Sequence, residues 1–125
     1  MADTFSTIRV LVVDDDQMLG RLLLRFLSRA SIAADQAASV AEARATFLPG
    51  VHSHVVVDLT LPDGSGATWL AETLAVDDDL VGVLASGYPV SPELLPPAVR
   101  HRASLLQKPF TPPELLTALG LPPRA

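Results

Sequence analysis

Reactive side chains in this sequence fall where apolar runs stop. Val10-Leu11-Val12-Val13 runs into Asp14-Asp15-Asp16, His54-Val55-Val56-Val57 into Asp58, Leu80 to Ala85 into Ser86, and Ala103 to Gln107 into Lys108. If the apolar runs are neighbouring parallel strands, their carboxyl ends meet at one edge, where open α/β sheets bind ligands. Three or more carboxylates then share one crevice, and repulsion raises a pKa or expels a group unless a cation neutralises them. Mg²⁺ suits such a donor set, being a hard ion that prefers carboxylate, carbonyl and water oxygens. Lys108 is the only lysine in the chain, the other basic residues being Arg or His. A lone ammonium facing clustered acids points to a phosphoryl group as the species handled there. Ser86 adds a hydroxyl, and the Gly87 region adds backbone N–H groups, for the same oxygens. One condition attaches: strand alternation sends Asp14 and Asp15 to opposite faces, so both serve one site only if the chain has already left the strand.

Taken singly, each element has a plainer reading. Asp14 to Asp16 could cap a helix, Ser86-Gly87 is a turn signal, and Lys108-Pro109 is a loop. Asp77-Asp78-Asp79 reads as a solvated loop or helix cap. His52, His54 and His101 lack ligand spacing and read as packing or surface residues. Only the ordered set at successive strand ends turns the residues into a site.

The elements that would hold this set alternate along the chain. After Asp16, a possible N-cap, Leu19, Leu22, Leu23, Phe26 and Leu27 recur at helical spacing, with Arg21, Arg25 and Arg29 on the other side. A faint second strand lies near Ile32 to Ala37. Ser39-Val40-Ala41-Glu42 has the capping-box pattern of a second helix, running towards Phe47 and ended by Pro49-Gly50. The loop Pro62 to Gly66 leads into a helix holding Trp69, Leu70 and Leu74. Thr111-Pro112-Pro113-Glu114 opens a short last helix through Leu115, Leu116 and Leu119. Apolar strands alternating with one-faced helices predict a parallel sheet covered on both sides, with right-handed crossovers.

Composition sets the bounds. The 125 residues make one domain, and with 49% hydrophobic residues they bury a core without disulfides or a structural metal. The chain has no cysteine, which excludes thiolate chemistry and fits a reducing cytoplasm. Met1 to Thr7 lacks the basic-then-apolar pattern of a secretory signal, and the apolar runs are too short to cross a bilayer. A soluble cytoplasmic protein is expected. Its formal charge of −5 gives no basic footprint for nucleic acid or an anionic membrane.

From about Arg9 to Leu119 the chain resembles the response-regulator receiver domains of bacterial two-component signalling. The resemblance is carried by Val12-Val13-Asp14-Asp15-Asp16, Asp58-Leu59-Thr60-Leu61-Pro62-Asp63-Gly64-Ser65-Gly66, Ser86-Gly87-Tyr88 and Lys108-Pro109-Phe110-Thr111, in the family's order and spacing. It implies a single receiver domain over residues 1–125, with a core of about 8–120. The implied fold is a flavodoxin-like (βα)5 doubly wound α/β sheet of strand order 2-1-3-4-5. It also implies Asp58 as phosphoacceptor, with Lys108 and Ser86 contacting the phosphoryl group. Mg²⁺ would be held by Asp15, Asp58 and the Thr60 backbone carbonyl, with Asp14 acting mainly through water. The implied partners are a histidine kinase or histidine phosphotransfer protein and a downstream protein effector, and the implied activity is confined to the chain's own phosphorylation and dephosphorylation. The Lys108-Pro109 bond would be cis.

Two features depart from the family pattern. Leu105 stands where an aromatic switch residue is usual, with Tyr88 as a possible substitute, and Pro96-Pro97 interrupts the expected fourth helix. These departures keep open a receiver-like interaction module that works without phosphorylation. A further alternative is a phosphohydrolase of the haloacid-dehalogenase type, whose first motif Asp14-x-Asp16 superficially fits. That family needs further acids after its lysine, and only Glu114 follows Lys108.

Overall fold

A segment apolar on both sides is covered on both sides only inside a sheet, and the strands follow that rule. In chain order they are β1 (Arg9–Val13), β2 (Ala33–Ala37), β3 (His54–Asp58), the two-residue β4 (Thr60–Leu61) and β5 (Gly64–Ser65), β6 (Val81–Ser86) and β7 (Ala103–Gln107). The structure is a computed structural model describing residues 7–121, so the N-terminal stretch read for a secretory signal lies outside it except for Thr7. β4 and β5 form a small antiparallel hairpin, and the other five strands form one parallel sheet in the order β2-β1-β3-β6-β7. Counted among themselves these five run 2-1-3-4-5, the doubly wound flavodoxin-like order that the resemblance implies.

The helices are α1 (Gln17–Arg29), α2 (Val40–Thr46), α3 (Gly66–Val76), α4 (Pro97–Arg100) and α5 (Pro112–Ala118). Four of them start where an oxygen side chain accepts an otherwise orphan N–H: Asp16 from Leu19, Ser39 from Glu42, Ser65 from Thr68 and Thr111 from Glu114. Leu27, Leu115, Leu116 and Leu119 pack α1 and α5 on Val10, Val12, Val56 and Val83. Ala43, Trp69, Leu70, Leu74 and Val99 pack the other three helices on Leu11, Val13, Val55, Val57 and Leu84 of the opposite face.

One expectation changes in the structure. Leu22, read as part of the inward stripe of α1, is 54% exposed. It lines a groove with Leu19, Leu23 and Phe26, opposite Pro109, Phe110 and Pro112. The apolar stripe is wider than the sheet beneath it, so its outer edge stays uncovered. The faint second strand is an edge strand, which is why Asp35 and Gln36 sit in it half-buried. The prolines act as expected: α4 is a single turn, preceded by a 3₁₀ turn at Pro92–Leu94. Arg100 donates two hydrogen bonds to the Leu95 carbonyl, at 3.1 and 2.9 Å.

Polar ties close the amino edge of the sheet. Arg9 Nε and Nη2 donate to the two oxygens of Asp35 at 2.7 and 2.8 Å. Buried His52 accepts the Leu48 N–H at Nδ1, so its proton sits on Nε2 and is donated to Asp35, 2.7 Å away. His54 is also buried, whereas His101 is exposed. The bond from Arg9, joined by that from His52 and opposed by burial, holds the Asp35 carboxyl down to about 2. A depressed carboxyl stabilises the fold above its unfolded pKa of 3.8, and that stability is lost as pH falls towards about 2. Allowing for solvent screening, the loss is about 1 kcal/mol. Urea unfolding across this window should show the loss in wild type and a flatter profile in Asp35→Asn; identical slopes would refute the assignment.

At the other end of α3, Arg102 donates to the carbonyls of Leu74, Asp77 and Leu80. Asp77 turns the chain by accepting the Asp79 N–H, so the acidic trio is a capped loop as expected.

Candidate functional site

The carboxyl ends of the strands finish almost level. Val13 pairs with Val57, Asp58 with Ala85 and Ser86 with Gln107, and the Lys108 N–H continues the ladder to the Ser86 carbonyl at 2.8 Å. β1 ends at Val13. The Asp14 N–H still reaches the Ala37 carbonyl at 3.0 Å, but the Asp14 side chain then accepts the Asp16 N–H at 2.9 Å and bends the backbone. That turn removes the alternation constraint, and Asp14, Asp15 and Asp58 each bring a carboxylate oxygen within 4.8 Å of the others. Asp58 is held from behind: the Leu59 N–H bonds the Ala85 carbonyl, and a Cβ on Gly66 would run into the Asp58 backbone carbonyl.

Lys108 spans the cluster, its Nζ lying 2.7 Å from Asp14 and 3.4 Å from Asp58. Asp14 is buried, the Asp58 side chain is 13% exposed and Asp15 faces solvent. Burial pushes the Asp58 carboxyl up, the charge of Lys108 opposes it, and Asp14 and Asp15 add repulsion. Burial would lower the Lys108 ammonium, but its bond to Asp14 and the charges of Asp14 and Asp58 outweigh that and raise it.

Three carboxylates against one ammonium leave two negative charges, all on oxygen donors, and a hard divalent cation fits that deficit. Among the described residues this is the one cluster of three or more metal-ligating side chains.

Neither the Ser86 hydroxyl nor the Thr60 side chain bonds the cluster, although the Ser86 backbone carbonyl takes the Lys108 N–H. Ser86 is buried at the end of β6, and its Oγ accepts the Tyr88 N–H at 3.1 Å. Thr60 lies two residues beyond Asp58, in the hairpin opposite Ser65. Tyr88 is 79% exposed, and with Leu84, Val90 and Leu105 it lines a cavity of about 240 Å³. The Lys108-Pro109 bond is cis, as expected. Sequence reasoning passed over Asp63 and Gly66 as loop residues. A glycine opening a helix directly after a strand is the one available signal for the second, and the sequence carries none for the long-range bonds of the first.

The sequence model of the response regulator receiver domain matches residues 10–120. The chain belongs to that family. This receiver domain is 35% identical over 79 residues to the acid tolerance regulatory protein ActR of Rhizobium meliloti (strain 1021), a stretch that is 63% of this chain and 41% of ActR. The chain therefore spans well under half the length of the curated relatives it matches. The non-phosphorylated receiver domain of HemR from Leptospira biflexa shares its fold with a TM-score of 0.78 and 26% identity, over 94% of this chain and 98% of that one. A response regulator protein from Burkholderia pseudomallei, solved with a phosphorylated aspartic acid, a calcium ion and citrate, has a TM-score of 0.74 and 30% identity. That match covers 90% of this receiver and 66% of its counterpart. Receiver domains imply a kinase or phosphotransfer partner in a two-component system, and among the described residues no helix is long and apolar enough to cross a membrane.

Proposed function

We propose that the chain is one receiver domain over residues 1–125 that accepts a phosphoryl group on Asp58. The donor would be a histidine kinase or a histidine phosphotransfer protein of the cytoplasm. The observation that carries this reading is Lys108 Nζ bridging Asp14 and Asp58 beside the Asp15 carboxylate, at an edge open to a donor. The phosphorylated aspartic acid of the Burkholderia pseudomallei regulator supports it.

In the proposed reaction an Asp58 carboxylate oxygen attacks phosphorus in line with the leaving imidazole nitrogen. The P–N bond breaks, its electron pair returns to the imidazole, and an acyl phosphate forms on Asp58. Lys108 offsets charge on the phosphoryl oxygens. Asp15, Asp58 and the Thr60 carbonyl would hold Mg²⁺ directly, with Asp14 acting mainly through water. Bound there, Mg²⁺ supplies positive charge to the oxygens that gain it during transfer. Ser86, whose oxygen already takes the Tyr88 N–H, has its hydroxyl proton left to give to the phosphoryl group. A bond formed there would bias the loop after β6 and change affinity for a protein effector. The catalysis is confined to the chain's own modification and its hydrolysis.

The test is intact-mass measurement after treatment with acetyl phosphate. One added phosphoryl group with Mg²⁺, and none with a chelator, is expected. Equal labelling under both conditions would remove the metal from the reading, and no labelling with Mg²⁺ would defeat the phosphoacceptor assignment.

A further inference from the structure

We infer that Asp63 is a positioning residue for the metal-binding loop: by gripping the first turn of α2 it fixes the hairpin that carries Thr60. The inference deepens the proposed function and rests on it, since it takes the Thr60 carbonyl as a Mg²⁺ ligand. Asp63 sits at the hairpin tip, between β4 and β5. One of its carboxylate oxygens accepts the Val40 N–H at 2.8 Å and the other accepts the Ala41 N–H at 2.9 Å. The first amides of a helix have no partner within it, so these are open donors that a carboxylate satisfies well. The bonds from Ala41 and Val40 hold the Asp63 carboxyl below the usual carboxylate range.

A hairpin with only two paired positions has little stability of its own. Here the pairs are Thr60 with Ser65 and Leu61 with Gly64. At its base the hairpin is fastened by the Gly66 N–H to the Leu59 carbonyl and by the Leu59 N–H to the Ala85 carbonyl, each at 2.8 Å. At its tip the polar fastening is Asp63, and Thr60 lies between the two. The helix it grips follows directly from the end of β2, where the Ala37 carbonyl takes the Asp14 N–H. The Asp63 bonds thus close a ring of backbone contacts around the acid pocket, from Asp14 through Ala37, α2 and the hairpin to Asp58. Opening that ring frees the Thr60 carbonyl without touching any carboxylate of the cluster.

Ser39 supplies the control. Its Oγ caps the same helix through the Glu42 N–H at 3.1 Å, and it does not bond the hairpin. Mg²⁺ alone is titrated calorimetrically into the full chain and its variants. Asp63→Ala should weaken binding about five- to ten-fold, in the range of a coupling between sites. Asp63→Asn, which keeps one acceptor oxygen, should recover part of the loss. Ser39→Ala should lower stability yet leave Mg²⁺ affinity within about two-fold of wild type. Because coupling is reciprocal, saturating Mg²⁺ should slow exchange of the Val40 and Ala41 amides in wild type by the factor that Asp63→Ala costs in affinity. Wild-type affinity in Asp63→Ala, or an equal loss in Ser39→Ala, would overturn the positioning role while leaving the receiver reading intact. A wild type that binds no Mg²⁺ at millimolar concentration would overturn both.

Discussion

In Asp58→Ala, acetyl phosphate and Mg²⁺ should add no phosphoryl group at all, and the variant should unfold at a higher urea concentration than wild type at neutral pH. The first half follows from chemistry, because the substitution removes the nucleophilic oxygen and leaves Asp14 and Asp15 with different surroundings. Asp14 has one oxygen engaged by the Asp16 N–H and the other by Lys108, and Asp15 faces solvent. The second half follows from linkage. Burial first, then Asp14 and Asp15, raise the Asp58 carboxyl in the fold, so it binds its proton more tightly folded than unfolded. Its ionisation at neutral pH therefore costs stability, and the cost shrinks as pH falls through the folded value and is gone only below the unfolded value of 3.8. Alanine removes the charge, while Lys108 keeps Asp14 at 2.7 Å and is not left unpaired. Intact mass and urea unfolding check the two halves separately. Labelling at the wild-type level would move the acceptor elsewhere, with Asp14 as the rival that a phosphohydrolase reading names. A lower urea midpoint would mean that Asp58 is a net stabilising group.

Gly66→Ala should be the most damaging single-methyl change near the site. The added Cβ would collide with the Asp58 backbone carbonyl, and the Val57 side chain is at contact distance behind it. Neither neighbour is the free end of a flexible side chain. Relief requires α3 to move off the sheet or Asp58 to move off its register with Ala85. A loss of about 3 kcal/mol is expected, at the upper end for overpacking a well-filled interior. Labelling should fall with it where Asp58 is the group that gives way, since it then no longer faces Lys108. Thermal unfolding and intact mass on the same preparation check this, and a variant with wild-type stability would show that the helix start has room the geometry denies. Gly82, whose added Cβ would first meet the end of the Leu70 side chain rather than backbone, offers the milder comparison.

What the sequence made legible was whatever depends on local pattern and strand ends. Val10–Val13 and Val55–Val57 announce themselves because both of their faces are buried, so no polar residue interrupts them. Asp14, Asp15, Asp58 and Lys108 could be gathered without coordinates because parallel strands finish on one edge. Bonds that join residues far apart in the chain carry no comparable mark. Asp35 gave no hint of Arg9 and His52, nor Asp63 of Val40 and Ala41, because each needs the fold before the partners meet. The misplacing of Leu22 has another cause: helical periodicity gives the width of an apolar stripe but not the area of the surface that covers it.

The reduction of α4 to one turn bears on how a signal could leave this molecule. From Ser91 to Arg100 the backbone is held by short local bonds, and the apolar side chains fully sunk into the interior there are Leu95 and Val99. A longer helix would resist displacement along its whole length, whereas this stretch yields at the expense of a few contacts. On the proposed reading, this briefly braced stretch, which begins five residues after Ser86, is the part of the chain through which a bond formed at that hydroxyl would reach the outer surface.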